Sequence, residues 1–195
     1  MDDSEPQKWE TLSSKVILDT PYLRVRQDCV RLPDGTVHDD FYVREARGWV
    51  AVFCLTTDGQ VVLNRQYKHG IGEVVLELPT GGIDEGEAPE AAARRELEEE
   101  TGYQVESMEF IGKLVSDPTS SNLQAWVYLA RGGRPTGVKD SDSREVIQVE
   151  LATPEELLAK IRSGEVDVQG QVAAIYMVCD RLGLLGGGRN EDRPR

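Results

Sequence analysis

A chain of 195 residues, 39% hydrophobic and 29% charged with 19 glycines, has the proportions of one globular domain with room for a small appendage. Its 35 acidic residues against 22 lysines and arginines leave a formal charge of −13, which argues against nucleic acid as a partner, because that binding needs clustered cations to displace counterions. The longest apolar run, Trp49 to Leu55, falls far short of the roughly 20 residues of a spanning helix, so no membrane partner is expected.

The acidic, polar start lacks the positive and apolar regions of a secretory signal. Cys29, Cys54 and Cys179 are odd in number and each lies in an apolar or strand-like stretch, which reads as reduced core cysteines of a cytoplasmic protein. With only His38 and His69 available, a structural zinc site is not expected.

From Lys15 to about Glu45 the chain reads as strands joined by the turn Pro33-Asp34-Gly35-Thr36. Trp49 to Thr56 and Val61 to Tyr67 are β-rich runs flanking Thr57-Asp58-Gly59-Gln60, a hairpin signal. Glu73 to Leu78 is a shorter strand that Pro79 stops, and Gly81-Gly82 reads as a turn where backbone approaches a ligand closely. Ala88 to Thr101 is the first strong helix, with Pro89 in its first turn and Gly102 as its stop. Strands resume over Met108 to Val115, Leu123 to Ala130 and Glu145 to Leu151, and the polar, Gly-rich stretch Arg131 to Arg144 reads as a mobile loop. Thr153-Pro154-Glu155-Glu156 fits a capping box opening a helix to about Ser163, and a last helix covers roughly Gln171 to Leu184. Residues 186–195 read as a flexible tail. The order predicts a mixed α and β chain, with a mixed sheet between helices after an all-β N-terminal segment of residues 1–45.

At about 100° per residue, Glu96, Glu99 and Glu100 share one third of the helix circumference with Ala92 and Ala93. Acids on the side that carries the small residues are anomalous for an amphipathic helix. Two carboxylates about 6 Å apart repel by about 2 to 3 kcal/mol at an effective dielectric near 20. Arg95 meets part of that repulsion. A divalent cation bound through oxygen meets the rest, and magnesium or manganese suits a hard donor set without imidazole. The competing reading is a solvated acidic face. Against it stand the glycine turn before the helix and the eight acids and two arginines packed into residues 84–100.

Gly81, Glu87, Arg95, Glu96, Leu97, Glu99, Glu100, Gly102 and Tyr103 fill the pattern G-x5-E-x7-R-E-U-x-E-E-x-G-U, where U is bulky and apolar. That pattern is the Nudix box, and the chain resembles the Nudix hydrolase family from about residue 15 to 185. Tyr103, standing where an aliphatic is more usual, is the one departure within the box. The resemblance implies a Nudix-like αβα sandwich, α/β or more strictly α+β, over residues 46–185. It also implies a small N-terminal all-β segment that makes a homodimer, and magnesium-dependent hydrolysis of a diphosphate linking a nucleoside to another group. By the same resemblance Glu96 and Glu100 are metal ligands, Glu99 a further ligand or a water-positioning base, the Thr80 carbonyl a ligand beside the box, and Glu87 with Arg95 an orienting salt bridge.

The nearest branch is that of ADP-ribose pyrophosphatases, which Leu63-Asn64-Arg65-Gln66-Tyr67-Lys68 and the loop Asp117-Pro118-Thr119-Ser120-Ser121-Asn122 resemble. Lys68 replaces the arginine common in that branch, and Thr119 its common glycine. Arg44, Arg47, Lys68, Trp49 and Pro118 are the expected substrate contacts, with Tyr22, Phe41 and Tyr42 as further rings able to meet a base. Glu145, with Asp140 and Asp142, is an expected late base. The expected substrate is a nucleoside diphosphate sugar, ADP-ribose foremost. GDP-mannose, a dinucleoside polyphosphate or a non-catalytic nucleotide sensor are the alternatives.

Overall fold

The computed structural model describes residues 5–137 and 146–186. Two compact units emerge: the chain up to Arg47 together with Val115–Gln124, and Gly48–Leu114 together with the chain from Ala125 onward.

The first unit holds an antiparallel sheet in the order β1 (Glu10–Asp19), β2 (Arg24–Arg31), β3 (Val37–Glu45). The expected turn closes β2 to β3, where Leu32 N–H donates to the Thr36 carbonyl at 2.8 Å and Gly35 takes φ +88°. β1 begins at Glu10, upstream of the expected start, and every one of its residues is exposed. Val30 and Val43 are buried beneath the sheet, whereas Cys29 is only half-buried, which corrects the expectation that all three cysteines are core residues. Trp9 packs edge-on against Phe41 at 5.7 Å.

The second unit is a mixed sheet in the order β11 (Gln148–Ala152), β5 (Val61–Lys68), β4 (Trp49–Thr56), β10 (Gln124–Pro135), β8 (Tyr103–Gln104). β6 (Glu73–Glu77) adds to β5, β7 (Thr80–Gly82) to β4 and β9 (Ser107–Val115) to β10. The β4–β10 pair is parallel, and β4–β7, β5–β6 and β5–β11 are antiparallel. The run of apolar residues in β4 has a simple cause, since its two faces feed two cores. Ala51 and Phe53 pack with α2 (Pro154–Ser163) and α3 (Gln169–Arg181), through residues such as Leu157 and Ile175. Val50, Val52 and Cys54 pack with α1 (Pro89–Thr101), through Ala92, Ala93 and Leu97. The result is the α+β Nudix-like sandwich.

Three expectations need correction. Gly81-Gly82 is strand, because both residues pair with Val50 and Trp49 of β4. Arg131 to Pro135 also continues a strand, since Arg134 and Pro135 pair with Gln104 and Tyr103 of β8. β11 starts at Gln148 and not at Glu145. Glu145, Asp140 and Asp142, with residues 187–195 of the expected tail, lie outside the described residues.

Candidate active site

The site is assembled where β7 meets α1. The Pro79 carbonyl accepts a bond from Val52 N–H at 3.0 Å, and Thr80, Gly81 and Gly82 then pair with Ala51, Val50 and Trp49. α1 starts at Pro89, and it ends at Gly102, whose φ of +71° lets its N–H reach the Glu98 carbonyl at 2.8 Å. Burial of Ala92, Ala93 and Leu97 seats the helix and turns Glu96 and Glu100 towards β7. A Cβ at position 81 would occupy the place of the Glu96 carboxylate, so glycine here leaves room for that carboxylate to lie against β7.

Arg95 organises the exposed part of the acidic face. Its Nε and Nη2 donate to the two oxygens of Glu87, each at 2.9 Å, Nη1 reaches Glu96 at 2.7 Å and Glu99 at 3.1 Å, and Nη2 also reaches the Gly82 carbonyl at 3.0 Å. The bond from Arg95 holds the Glu87 carboxyl below its ordinary range, and the Glu87 pair chiefly raises Arg95. Burial pushes Glu96 up, with Arg95 opposing. Glu99 is the most open of the three, its side chain 47% exposed.

Glu100 differs from its neighbours in having no bond to Arg95. It is 7% exposed, and its two hydrogen bonds both fall on Oε2, from Asn64 Nδ2 at 2.8 Å and from Thr80 N–H at 2.9 Å. Burial pushes its carboxyl up to about 8, with Glu96 and Glu77 adding to the effect and the Thr80 N–H and Lys68 opposing it.

A buried polar seam lies beside these groups. Glu77, 3% exposed, accepts from Gln66 Nε2 at 2.6 Å and pairs with Lys68 Nζ at 2.7 Å. Gln171 of α3 accepts from Leu78 N–H at 3.1 Å, donates to Thr80 Oγ1 at 2.8 Å and reaches Glu77 at 3.4 Å. Sequence reading missed Asn64, Glu77 and Gln171 as site residues. The available signal was a charged or amide side chain inside otherwise apolar strand and helix faces, such as Glu77 between Leu76 and Leu78.

The structure thus brings together Thr80, Glu87, Arg95, Glu96, Glu99 and Glu100. Lys68 is engaged with Glu77. The half-buried Trp49 packs on the core, and a Cβ at Gly170 would come within 2.9 Å of its ring. Arg44 and Pro118 belong to the first unit, where Arg44 N–H donates to the Ser120 carbonyl at 2.8 Å and Ala46 N–H to Asn122 Oδ1 at 2.8 Å, so the Pro118 loop is tied to the end of β3. Arg47 lies just beyond that strand and is exposed. Tyr22 is 88% exposed and Tyr42 50%.

Among the described residues no three His, Cys, Asp or Glu side chains already form a metal cage, since Arg95 draws Glu96 and Glu99 to itself. The donors nevertheless fit a hard dication: Glu96, Glu99, Glu100 and the Thr80 carbonyl offer oxygen only, and Glu100 is buried with neutral partners alone.

A Nudix domain model matches residues 46–169, and a model of the nucleoside diphosphate sugar hydrolase N-terminal domain matches residues 9–43. The chain therefore belongs to the Nudix family and is a Nudix hydrolase. It is 29% identical over 170 residues to the ADP-ribose pyrophosphatase of Bacillus subtilis (strain 168), covering 86% of this chain and 91% of that protein. The same figures hold for the methanol dehydrogenase activator of Bacillus methanolicus. Among solved structures, an ADP compounds hydrolase matches with a TM-score of 0.81 over 94% of this chain and 98% of that one, at 21% identity, a likeness of fold.

Proposed function

We propose that this Nudix hydrolase cleaves the diphosphate of a nucleoside diphosphate sugar, with ADP-ribose and water giving AMP and ribose 5-phosphate. The observation that carries the reading is the buried Glu100 carboxylate, gripped at Oε2 by Asn64 and Thr80, beside the half-buried acid Glu96 in a complete acidic box. The N-terminal family match over residues 9–43 and the ADP-ribose pyrophosphatase relative support the substrate class.

Glu96, Glu100 and the Thr80 carbonyl hold Mg2+, with Mn2+ able to replace it, and Glu99 adds a ligand or orients water. A bound dication sets positive charge against the phosphoryl oxygens and acidifies water beside them. Arg95 and Glu87 keep the helix face in register, while Arg44, Arg47, Lys68, Trp49 and Pro118 contact the nucleotide and Glu145 serves as a late base. A cytoplasmic location belongs to the same reading, supported by an odd number of cysteines in apolar or strand-like stretches of the sequence, as does a homodimer formed through residues 1–45.

The test is a hydrolysis panel with Mg2+, containing ADP-ribose, other sugar nucleotides and dinucleoside polyphosphates, with products separated by chromatography. ADP-ribose is expected to turn over fastest, with AMP as a product. Glu100→Gln is expected to lose at least the roughly 10- to 100-fold that removal of a supporting outer-shell group costs a metal site. Turnover of no member overturns the catalytic reading, and faster hydrolysis of another class overturns the substrate.

A further inference from the structure

Asn64 is fully buried on β5, two residues along from Val62, which packs with Ala92, Ala93 and Leu97 of α1. Its Nδ2 donates to Glu100, yet its Oδ1 is buried without any hydrogen-bond partner, the one such side-chain atom among the described residues. An unsatisfied buried oxygen is a cost that an apolar residue of the same size would avoid. Asn64 stands between apolar residues of the α1 layer, such as Val62, and the polar pair Gln66 and Glu77, yet neither of these two satisfies its Oδ1. Among the described residues, the bond to Glu100 is the one hydrogen bond that its side chain makes.

That bond has a directional consequence. Asn64 Nδ2–H and Thr80 N–H approach the same oxygen, Oε2, at 2.8 and 2.9 Å. The two donors come from different strands, β5 and β7, so together they fix the carboxylate plane as well as its position. Among the described residues Oε1 is left without a protein donor.

We propose that Asn64 is a positioning residue for cation binding, holding Glu100 by Oε2 so that Oε1 is the oxygen offered to the metal. This rests on the reading of Glu100 as a metal ligand. Asn64 itself touches neither metal nor substrate in this role. It acts through Glu100, and its unpartnered Oδ1 is the structural cost of placing an amide donor at this buried position.

The experiment compares the full-length parent, Asn64→Leu, Asn64→Val and Glu100→Gln by calorimetric titration with Mn2+ and by thermal unfolding in EDTA. Both Asn64 variants are expected to bind Mn2+ about 10- to 100-fold more weakly. Their metal-free unfolding midpoints are expected at or above that of the parent, because the unsatisfied oxygen is gone. Raising Mn2+ is then expected to restore kcat without changing the KM for nucleotide. A merely structural Asn64 gives the opposite pair, a lowered midpoint with parental Mn2+ affinity, and that result overturns the proposal. Affinity lost only in step with lost stability in both variants overturns it as well. If Glu100→Gln binds Mn2+ as tightly as the parent, the ligand reading itself has failed, an outcome distinct from failure of the Asn64 role.

Discussion

Glu100 is an acid whose folded pKa, about 8 in the metal-free protein, stands above the ordinary 4.5 because burial disfavours its charge. A raised acid pKa means that the folded state holds a proton which the unfolded chain releases between those values. Its contribution to stability is therefore present below about pH 4.5 and is lost as pH rises through about 8. In EDTA, the unfolding midpoint of the parent is expected to fall relative to that of Glu100→Gln as pH climbs across this window, and calorimetry at several pH values checks it. Parallel curves for the two proteins would contradict the assignment of that proton to Glu100. Arg95 makes a different residue-scale prediction. Its planar fork meets both oxygens of Glu87 while Nη1 bridges Glu96 and Glu99, a pattern that the point charge of lysine cannot reproduce. Arg95→Lys is expected to lower kcat by at least about 10-fold and to destabilise the protein by about 1.5 to 3 kcal/mol, the worth of one hydrogen bond to a charged group, since lysine keeps some of the contacts. Steady-state kinetics and chemical unfolding read the two effects separately.

At the scale of elements, α3 supplies the site with one side chain. Gln171 is 1% exposed and answers both the Leu78 N–H and the Thr80 hydroxyl. Gln171→Leu leaves the buried Leu78 N–H without that partner, while the Thr80 hydroxyl keeps its bond to the Leu78 carbonyl, and at about 1 to 3 kcal/mol for the orphaned amide the unfolding midpoint is expected to fall by a few degrees. A thermal scan that shows no change would mean that the turn after β6 is held without α3. The same residue marks the limit of what the sequence discloses. Local signals were legible: Pro89 and Gly102 bracket α1, the Thr153 to Glu156 capping box opens α2, and the acids of α1 are aligned by helical spacing alone. β7 and β8, three and two residues long, exist only through pairing with β4 and β10, so no local pattern announces them. The Gly-rich run to Pro135 is extended for the same reason. Asn64 finds Glu100 across 36 positions and Gln171 finds Thr80 across 91, and amides of that kind look in sequence like ordinary surface residues. The acidic face of α1 was readable because one helix carries it, and the seam supporting that face was hidden because three separated elements share it.

For the whole molecule, the proposed assembly turns on β1 and on net charge. β1 is the edge of the N-terminal sheet, ten residues long and exposed throughout, with Leu12, Val16, Ile17 and Leu18 each 38–46% exposed. Its register shifts between Thr11 and Ser13 and between Val16 and Leu18, irregularities that blunt open-ended pairing of an edge. An apolar edge of this length is a natural seat for a second copy, because a two-fold pairing covers it on both chains at once. Each copy nevertheless brings a charge of −13, so association has to overcome mutual repulsion that is screened within a Debye length of about 10 Å at 0.1 M salt. The proposed dimer is therefore expected to tighten as salt rises from about 0.05 to 0.5 M, the reverse of an interface built from ion pairs. Val16→Asp combined with Leu18→Asp adds charge to the proposed contact and is expected to yield a monomer in sedimentation equilibrium at every salt concentration, while circular dichroism reports an unchanged fold. A monomeric parent protein would refute dimerisation outright, and a dimer that persists in the double variant would move the contact away from β1.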